Sequence, residues 1–524
     1  MRAYALFSPR LYLAAGLLAA LPACGSNSSS GGGSGQPQPE GGTATDSGGG
    51  AAADVEVIAV STTPFGFATQ YADPTTGATM VVTGGAGAAT TNIYVVHNRK
   101  ELLDALLNVN SPTYATDMLA AKNEPKIIYL VGTIRGNDLG DGTFSDATTY
   151  RATPNPNQYD FDLYVKWFDT AYKAGLQTMA DGGDTTAAAQ LALVNSQPGS
   201  ARTTFSNNQK SQIQFQVPPN TSLLGVGQDA KLVDGYLSLN TFSPTFGQTL
   251  DSNIIIQNIE FQVPQDLAPA WDPTDTSTGN WNARYDGISI VTSRSIWIDH
   301  CTFSDGDHLD PAEPTPFNGK HVQRHDGLVD IEDGSDDITL SFNIFRNHDK
   351  TTLIGSTDGG DMGQQNYEPG RENITFAGNL WDASVQRDPL ARFGHFHLFN
   401  NLYRGAVDDT VPYPLSYFIG MGTQSSILSE SNVFDVIGPG QTAAGLQTRA
   451  LTYSGGTGFH DVGSWFNDAP FTNFDAVSKM RSAAINNTLT WTVPYSYQPG
   501  KTADGIRQLV VNNAGAGKLD IRVP

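Results

Sequence analysis

One short pattern recurs from residue 258 onward and constrains the fold of this chain more than any other feature. In each copy an asparagine precedes an apolar residue, and an aromatic residue stands two or three positions after the asparagine. The copies are Asn258-Ile-Glu-Phe261, Asn343-Ile-Phe345, Asn379-Leu-Trp381, Asn401-Leu-Tyr403 and Asn432-Val-Phe434. From Asn343 onward they start roughly 22 to 36 residues apart, with loops of variable length between them. A repeat of this length is typical of the coils of a parallel β-solenoid.

The same pattern predicts how such coils are held together. Stacked coils place equivalent asparagine side chains above one another inside a bend, where each can hydrogen-bond the next. A β-sandwich with asparagine-rich turns is the alternative. It is disfavoured because no Asn-Gly pair separates the copies from Asn343 onward, and antiparallel neighbours usually need tight turns of that kind. We therefore expect an all-β fold with long loops, preceded by a helix-like segment from Arg99 to Leu107.

The N-terminus predicts an exported protein. Two arginines and an apolar run over residues 11–21 precede Leu21-Pro-Ala-Cys24. The run is too short to cross a bilayer, and small residues before a cysteine complete the pattern of an export signal. We expect a lipoprotein-type signal peptide over residues 1–23, with Cys24 as the lipid-modified first residue. Ordinary secretion is the alternative, because the proline in this motif is uncommon.

Composition divides the rest of the chain. Residues 24–54 are almost entirely Gly, Ser, Gln, Pro, Ala and Thr, which cannot bury enough apolar surface to fold and predict a flexible linker. One folded domain is expected over residues 55–524. Within it, the polar stretch 136–210 has the character of an insertion and contains a second helix-like segment, residues 162–179.

Charge excludes one class of partner and favours another. The net charge of −22 and the isoelectric point near 4.6 argue against nucleic acid, because binding phosphate requires a basic face. Eight of the 30 lysines and arginines nevertheless fall between Lys320 and Arg404. This local excess predicts a site for a polyanionic ligand. Chance clustering of solvated side chains is the alternative.

The two cysteines, Cys24 and Cys301, are not expected to form a disulfide. If Cys24 carries a lipid, Cys301 has no partner, and packing alone must hold the fold. Cys301 is then expected to be a small buried apolar side chain.

Three aspartates are candidate metal ligands. Asp286 begins Asp-Gly-Ile-Ser-Ile, and Asp326 and Asp330 flank Gly-Leu-Val. A separation of one coil between Asp286 and the later pair would bring the three carboxylates to one side of neighbouring coils. Several carboxylates with room for other oxygen ligands suit Ca²⁺. Each aspartate alone could equally be a solvated turn residue.

Lys350, Arg387 and Arg392 form a candidate anion-binding set. Pro389 lies between the two arginines and predicts an extended or turning segment at the surface. Guanidinium groups match carboxylates in bidentate geometry, so these residues fit a uronate polymer better than a neutral sugar. The alternative is that they form ion pairs with nearby acidic residues, namely Asp349, Asp382 or Asp388.

Seven of the nine histidines lie between His300 and His397, which raises the possibility of a transition-metal site. His321 and His325 have helical spacing, and His395 and His397 have strand spacing. No Glu or Cys stands in a recognised zinc arrangement with them, so histidine ligation is disfavoured. We expect His300 and His348 to orient neighbouring loops and coils instead.

Several motifs together resemble the signature blocks of the pectate lyase family. They are Trp297-Ile-Asp-His300, Asp326-Gly-Leu-Val-Asp330, His348-Asp-Lys350, Leu353-Ile-Gly355 and the stretch from Arg387 through Arg392 to His397. The resemblance is strongest over residues 253–403, and it extends weakly to residues 65–67 near the start and 514–518 near the end.

The resemblance implies a right-handed, single-stranded parallel β-helix. It also implies an enzyme that cleaves polygalacturonate, an acidic plant polysaccharide, by calcium-dependent β-elimination. Residue by residue, it implies calcium ligation by Asp286, Asp326 and Asp330, a catalytic base in Arg387, and substrate-carboxylate binding by Lys350 and Arg392. The guanidinium pKa lies above 12, so an arginine base implies an alkaline optimum.

Two features depart from the family pattern. Some members carry a further carboxylate two residues before Asp286, where this chain has Arg284, and the insertion 136–210 has no family counterpart that the sequence identifies. A pectin lyase acting on methylated substrate, a non-catalytic glycan-binding β-helix and a hydrolase with paired acids are the rival functions. We expect a monomer, either secreted or anchored by Cys24 at a bacterial outer membrane or cell surface.

Overall fold

The structure is a computed structural model that describes residues 60–72, 77–151, 158–240, 242–243, 247–248, 251–358, 370–471 and 485–524. The predicted signal peptide, the linker and Cys24 lie outside these residues. Within the described part of the chain, no helix is both long enough and apolar enough to span a bilayer.

The core is a right-handed parallel β-helix, as the asparagine repeat and the family resemblance predicted. A complete coil contributes one strand to each of three sheets, and the terminal coils contribute to fewer. The first sheet has ten parallel strands: Ile93–Val96, Lys126–Leu130, Thr221–Gly225, Asp251–Gln257, Arg294–Asp299, Asp336–Ser341, Ile374–Ala377, His395–Phe399, Ser426–Glu430 and Gly458–Val462. Its register stacks Ile254, Ile296, Ile338 and Ile374 in one fully buried column.

Two further sheets complete the coils. The second comprises Thr133–Arg135, Lys231–Val233, Glu260–Gln262, Thr302–Ser304, Ile344–Lys350, Leu380–Gln386, Leu402–Ala406, Val433–Ile437, Trp465–Phe466 and the antiparallel Ala469–Pro470. The third sheet contains Gln214–Gln216, Tyr236–Asn240, Ile288–Val291 and Val329–Glu332. Single bridges at Leu353 and Ile354 continue it into Leu390–Ala391, Ile419–Met421 and Leu451–Tyr453.

Four of the five repeated asparagines form the predicted ladder at the bend between the first and second sheets. The Oδ1 atom of Asn379 accepts the backbone N–H of Asn343 at 2.9 Å, and that of Asn401 accepts the N–H of Asn379 at 2.9 Å. Asn432 serves Asn401 in the same way. All four side chains are buried, so the ladder satisfies backbone donors that the bend would otherwise leave without partners.

Asn258 does not belong to this ladder, contrary to the expectation from its sequence. It lies one position earlier in the bend, with φ of +60°, and its amide binds Gly225, Gly227 and the C-terminal Gly517. The aromatic residues of the repeat, unlike Asn258, occupy equivalent positions on successive coils. Rings stack in one column with centroids 4.7 to 5.3 Å apart, in the order Phe261, Phe303, Phe345, Trp381, Tyr403 and Phe434.

The segment predicted as an insertion is helical. Its helices are Ala147–Tyr150, Phe161–Phe168, Thr170–Asp181, Thr185–Ser196 and Arg202–Ile213, with a π-helical turn at Gln197–Ala201. Asp160, Asp169 and Asp184 each accept a backbone N–H of the following first turn, as favoured N-cap residues do. Asp169 also ends the preceding helix, so the single helix predicted for residues 162–179 is two.

The remaining elements lie outside the coils. The predicted helix Arg99–Leu107 is present with those bounds, followed by Met118–Asn123, and the chain later forms helices Ala443–Gln447 and Ala503–Asn513. Short 3₁₀ turns are formed by Gly66–Thr69, Thr90–Asn92 and Asp310–Ala312. Three pairs of short strands are antiparallel: Tyr71–Ala72 with Thr79–Met80, Phe242–Ser243 with Gly247–Gln248, and Ala270–Asp272 with Asn280–Asn282.

The parallel sheets exclude a β-sandwich. The one Asn-Gly pair that precedes Asn343 in the repeat region, Asn318-Gly319, makes a tight antiparallel turn in a loop and joins no coil strands. Cys301 is fully buried, as predicted, and forms no disulfide with any residue that the structure describes.

Candidate active site

A groove of about 1970 Å³ runs along the third sheet, across successive coils. The third sheet forms its floor, and loops that project from the coils form its walls together with the helix Arg202–Ile213. All six predicted site residues line this groove, namely Asp286, Asp326, Asp330, Lys350, Arg387 and Arg392.

The cations that line the groove only partly match the cluster that the sequence singled out. Of the eight between Lys320 and Arg404, four line it: Lys320, Lys350, Arg387 and Arg392. Four more come from elsewhere in the chain, namely Arg202, Lys210, Arg284 and Arg449. The fold therefore brings together eight cations from distant parts of the chain, beside ten acidic residues that also line the groove.

The register of the third sheet brings the predicted residues into one line. Ile288 pairs with Val329, and bridges join Ile331 to Ile354 and Leu353 to Leu390. Carried back along the strands, this register sets Asp286 beside Gly327 on the next coil, while Lys350 pairs with Gln386, the residue before Arg387, on the two coils that follow. Neighbouring positions are separated by one strand spacing, about 4.8 Å.

Asp286 and Asp330 lie side by side on adjacent coils, and both are buried. Asp286 accepts the backbone N–H of Gly327 at 3.0 Å and a hydrogen bond from the Ser289 hydroxyl. Asp330 accepts the backbone N–H of Leu353 at 2.9 Å. These contacts orient the carboxylates but do not neutralise them.

The crowding of these carboxylates appears in their pKa values. Burial raises the pKa of Asp286 to about 8, and the charge of Asp326 adds to the effect. Burial also raises the pKa of Asp330, with further repulsion from Asp286 and Asp326. Carboxylates that share a site in this way are costly to ionise together unless a cation joins them. The donor set is all oxygen, which fits Ca²⁺.

Lys350 binds the remaining aspartate. Its Nζ donates to Oδ1 of Asp326 at 2.9 Å, and both groups are largely shielded from water. Burial lowers the pKa of Lys350, but the charge and hydrogen bond of Asp326, together with the charge of Asp349, outweigh it and the net shift is upward. The ammonium therefore stays charged at the edge of the acidic cluster.

Arg387 follows Lys350 in the line. Its backbone is left-handed, with φ of +67°. Its carbonyl accepts one hydrogen bond from the backbone N–H of Thr352 and another from the hydroxyl of Thr351. Of the residues that the structure describes, none forms an ion pair with the half-buried guanidinium. The backbone is fixed while the charged end remains available to a ligand.

Among the described residues, the ion pairs of Lys350 and Arg392 are with Asp326 and Asp358, and not with the acidic residues that the sequence suggested. Asp388 is buried and accepts two hydroxyl hydrogen bonds, from Thr351 and Ser384, each of 2.6 Å. Burial raises its pKa to about 7. Asp349 accepts instead from the side-chain amides of Gln323 and Gln386. Pro389 is buried as well, so only part of this segment lies at the surface, where Arg387, Leu390 and Arg392 line the groove.

Arg392 has a different setting from Arg387. Its Nε donates to Asp358 at 2.8 Å and its Nη1 to the carbonyl of Gly355 at 2.8 Å. The side chain is buried, whereas Asp358 is partly exposed. An incoming carboxylate would therefore compete with Asp358 for the guanidinium.

A buried network that the sequence did not reveal supports the Asp326 loop. Asp305 binds Nδ1 of His348 at 2.5 Å and accepts a hydrogen bond from Tyr413. His325 lies alongside, with its Nδ1 at 2.8 Å from Asp310. On its other side, His348 binds the backbone carbonyl of Asp326 through Nε2 at 2.7 Å.

The geometry fixes the protonation of His348. Both ring nitrogens face acceptors, a carboxylate at Nδ1 and carbonyl oxygens of Asp326 and Lys350 at Nε2, so each must carry a proton. Burial lowers the pKa of His348, but the charge and hydrogen bond of Asp305, together with the charges of Asp310 and Asp349, outweigh it and raise the pKa to about 9. The imidazolium ties together the backbones of the two residues that meet in the Asp326–Lys350 pair.

Comparison with known proteins agrees with the motifs. The sequence model of a family described as "Pectate lyase" matches residues 170–519, starting inside the helical insertion. The chain is 33% identical over 444 residues to a pectate lyase of Bacillus subtilis, covering 84% of this chain and 90% of that protein. It is 30% identical over 438 residues to pectate lyase A of Dickeya chrysanthemi, covering 83% and 86%.

Solved structures give the same result. A structure titled as a pectate lyase bound to hexasaccharide matches with a TM-score of 0.69 and 31% identity, covering 90% of this chain and 100% of that one. A pectate lyase from Acidovorax avenae subsp citrulli matches with a TM-score of 0.69 and 30% identity, covering 91% and 99%.

Proposed function

The chain belongs to the pectate lyase family, and on that premise we propose that it cleaves polygalacturonate by calcium-dependent β-elimination with Arg387 as the base. Family membership carries the enzyme class, a lyase that acts on pectate. One observation supports the finer mechanism. A buried carboxylate cluster, a charged lysine and an arginine without an ion pair among the described residues follow one another along a single groove.

The residues of this line bind and orient one galacturonate unit. Asp286, Asp326 and Asp330 would hold the calcium ion, which would supply positive charge to the C6 carboxylate of the bound sugar. Lys350 contributes a second positive charge to the same carboxylate from the neighbouring position. Arg392 binds a carboxylate of another sugar unit in bidentate fashion, displacing Asp358. The polymer then lies along the groove with the C5 proton of one unit facing Arg387.

Neutralising the carboxylate acidifies the adjacent C5–H bond. Arg387 removes this proton, and the electron pair of the bond forms the C4=C5 double bond. The C4–O4 bond breaks, its electron pair stays on O4, and O4 takes a proton from solvent. The products are a shortened chain and an oligomer with a 4,5-unsaturated end. A neutral guanidine is scarce near pH 7, so the reaction is expected to be fastest at alkaline pH.

The test is a continuous assay on polygalacturonate, following the ultraviolet absorbance of the unsaturated product with and without a calcium chelator. The proposal requires absorbance that rises with enzyme and stops when calcium is removed. New reducing ends without absorbance would indicate a hydrolase. Activity confined to highly methylated pectin and indifferent to chelator would indicate a pectin lyase, and binding without cleavage would indicate a glycan-binding protein.

The buried network yields a separate prediction. Asp305→Asn removes the charge that keeps His348 protonated, so the carbonyl of Asp326 loses its firm contact. We expect the calcium concentration for half-maximal activity to rise about 10- to 100-fold, the range found for residues that orient metal ligands. Tyr413→Phe is the matched control, because it removes a hydrogen bond to Asp305 but keeps the charges, and its effect should be smaller. A calcium requirement unchanged in Asp305→Asn, in a protein of normal thermal stability, would contradict this role.

The location of the enzyme is also a proposal. The motif Leu21-Pro-Ala-Cys24 favours a lipoprotein anchored through Cys24 outside the cytoplasm. Wild-type protein should then be recovered in the membrane fraction with a lipid on its first residue, and Cys24→Ser should release it or stall its processing. Mass spectrometry of the mature N-terminus decides the matter, and an unmodified protein in the medium with a different N-terminus would rule out the anchor.

A further inference from the structure

The wall of the groove beside Asp286 carries an arginine held in a defined position. Arg284 is exposed and lines the groove two residues before Asp286. Its Nη1 donates to the Ser206 hydroxyl at 2.8 Å and to Oδ1 of Asn207 at 3.0 Å. Both acceptors belong to the helix Arg202–Ile213. A long flexible side chain at the surface rarely keeps one orientation, and here two acceptors hold it at one end of its guanidinium.

The rest of that guanidinium is available. Arginine carries five N–H donors, and the contacts to Ser206 and Asn207 use only those of Nη1. Among the residues described, none accepts a hydrogen bond from Nε or Nη2 of Arg284 and none forms an ion pair with it. These donors form the fork that matches a carboxylate.

The helix that holds Arg284 is itself fastened to the coils. Arg202 donates to the carbonyl of Ala268 at 2.8 Å, and Gln209 donates to that of Gln265 at 2.6 Å. The Tyr285 hydroxyl donates to the carbonyl of Ser206 at 2.6 Å. The helix is therefore held in place, and it keeps the Arg284 guanidinium in one orientation before any ligand binds.

The distance along the groove identifies what this fork would meet. Arg284 belongs to the coil of Ile288, and Arg387 to the coil of Leu390. These coils are three strand spacings apart, about 14 Å. That distance exceeds the length of one sugar unit. A polyuronate chain bound at Lys350 and Arg387 carries a carboxylate on every sugar, so further carboxylates fall on the Arg284 side of the line.

We infer that Arg284 binds the carboxylate of a uronate unit remote from the bond that is cleaved, and that the helix Arg202–Ile213 positions it for this role. The inference rests on the proposed function, because it assumes a polyuronate in this groove. Arg284 lies two residues before Asp286 and carries the opposite charge to the acidic cluster. The positive charge of Arg284 favours binding of an anionic sugar at this position and disfavours binding of a second metal ion.

The experiment compares kcat and KM on polygalacturonate for the wild type, Arg284→Gln, Arg284→Lys and Arg522→Gln. Arg522 is an exposed arginine paired with Asp520 outside the groove, so its replacement by glutamine makes the same charge change elsewhere. Arg284→Gln is expected to raise KM about tenfold, which corresponds to about 1.4 kcal/mol of lost binding, with kcat within twofold. Arg284→Lys should have a smaller effect, and Arg522→Gln none.

A second arm varies the substrate. The KM ratio between Arg284→Gln and wild type should fall toward one as methyl esterification of the pectin rises, because an ester cannot accept the charged fork. A ratio below two on polygalacturonate, or one that ignores esterification, overturns the inference while leaving the lyase activity in place. If the wild type releases no unsaturated product, calorimetric titration with oligogalacturonate decides instead. About tenfold weaker binding by Arg284→Gln supports the inference alone, and equal affinity refutes it.

Discussion

Arg387→Lys is expected to lower kcat on polygalacturonate by about 10²- to 10⁴-fold, the range that general-base catalysis contributes. Lysine keeps a positive charge, but its single nitrogen cannot reach the position of the guanidinium, and small misplacements of a reacting group are costly. Because the guanidinium has no ion pair among the described residues, the substitution breaks no salt bridge there. We therefore expect KM and thermal stability to change little.

Two further variants serve as comparisons in this test. Arg392→Lys should act mainly on KM, since Arg392 is assigned to carboxylate binding and its bidentate geometry is lost. Arg522→Lys, at an exposed ion pair outside the groove, should leave both constants unchanged. The measurement is kcat and KM across pH 7 to 10. Near-normal turnover by Arg387→Lys over that range would remove Arg387 from the mechanism.

Asp330→Asn is expected to raise the calcium concentration for half-maximal activity by at least 10- to 100-fold, because a direct ligand should matter at least as much as the residues that orient it. Asparagine keeps an oxygen that can accept the backbone N–H of Leu353, so the local backbone should be preserved. Asp520→Asn, at an exposed site, is the matched control. Full wild-type activity after exhaustive chelation would contradict the calcium proposal.

Thermal stability gives a readout of the same site that is independent of turnover. Ligand binding to the folded state raises stability with ligand concentration, so calcium should raise the Tm of the wild type and much less that of Asp330→Asn. Without calcium the order should reverse, because the substitution removes repulsion from Asp286 in the buried cluster. A calcium-dependent rise in Tm that is the same in both proteins would place the ion elsewhere.

The same carboxylates set the pH dependence of the metal-free protein. The pKa of Asp286 is raised to about 8 in the folded state, from a value near 3.9 in the unfolded chain. Between these values the unfolded chain has lost a proton that the folded protein keeps, so stability falls as the pH rises from about 4 to 8. Saturating calcium should remove much of this loss.

The family resemblance located the six candidate site residues because their motifs are contiguous in sequence. Asp326-Gly-Leu-Val-Asp330 and His348-Asp-Lys350 each carry their own signal. The Asp305 network had no such signal. Asp305 and His348 are 43 residues apart, and Tyr413 is 108 residues from Asp305. Only the coil register brings these side chains together, and loop lengths between coils vary too much for the sequence to reveal it.

By itself, the sequence determined the class of fold, because a β-solenoid repeats the same local environment and therefore the same residue types, as at Asn379 and Asn401. It also determined the helix Arg99–Leu107, which was predicted with its correct bounds and whose Asn98 cap acts within the first turn. The tertiary structure decided which partners each polar side chain has. Asn258 binds the C-terminal segment and not the ladder, Arg392 forms an ion pair with Asp358, and Arg284 binds the helix Arg202–Ile213. These contacts join segments distant in sequence, and their energies depend on distances and burial that local patterns do not specify.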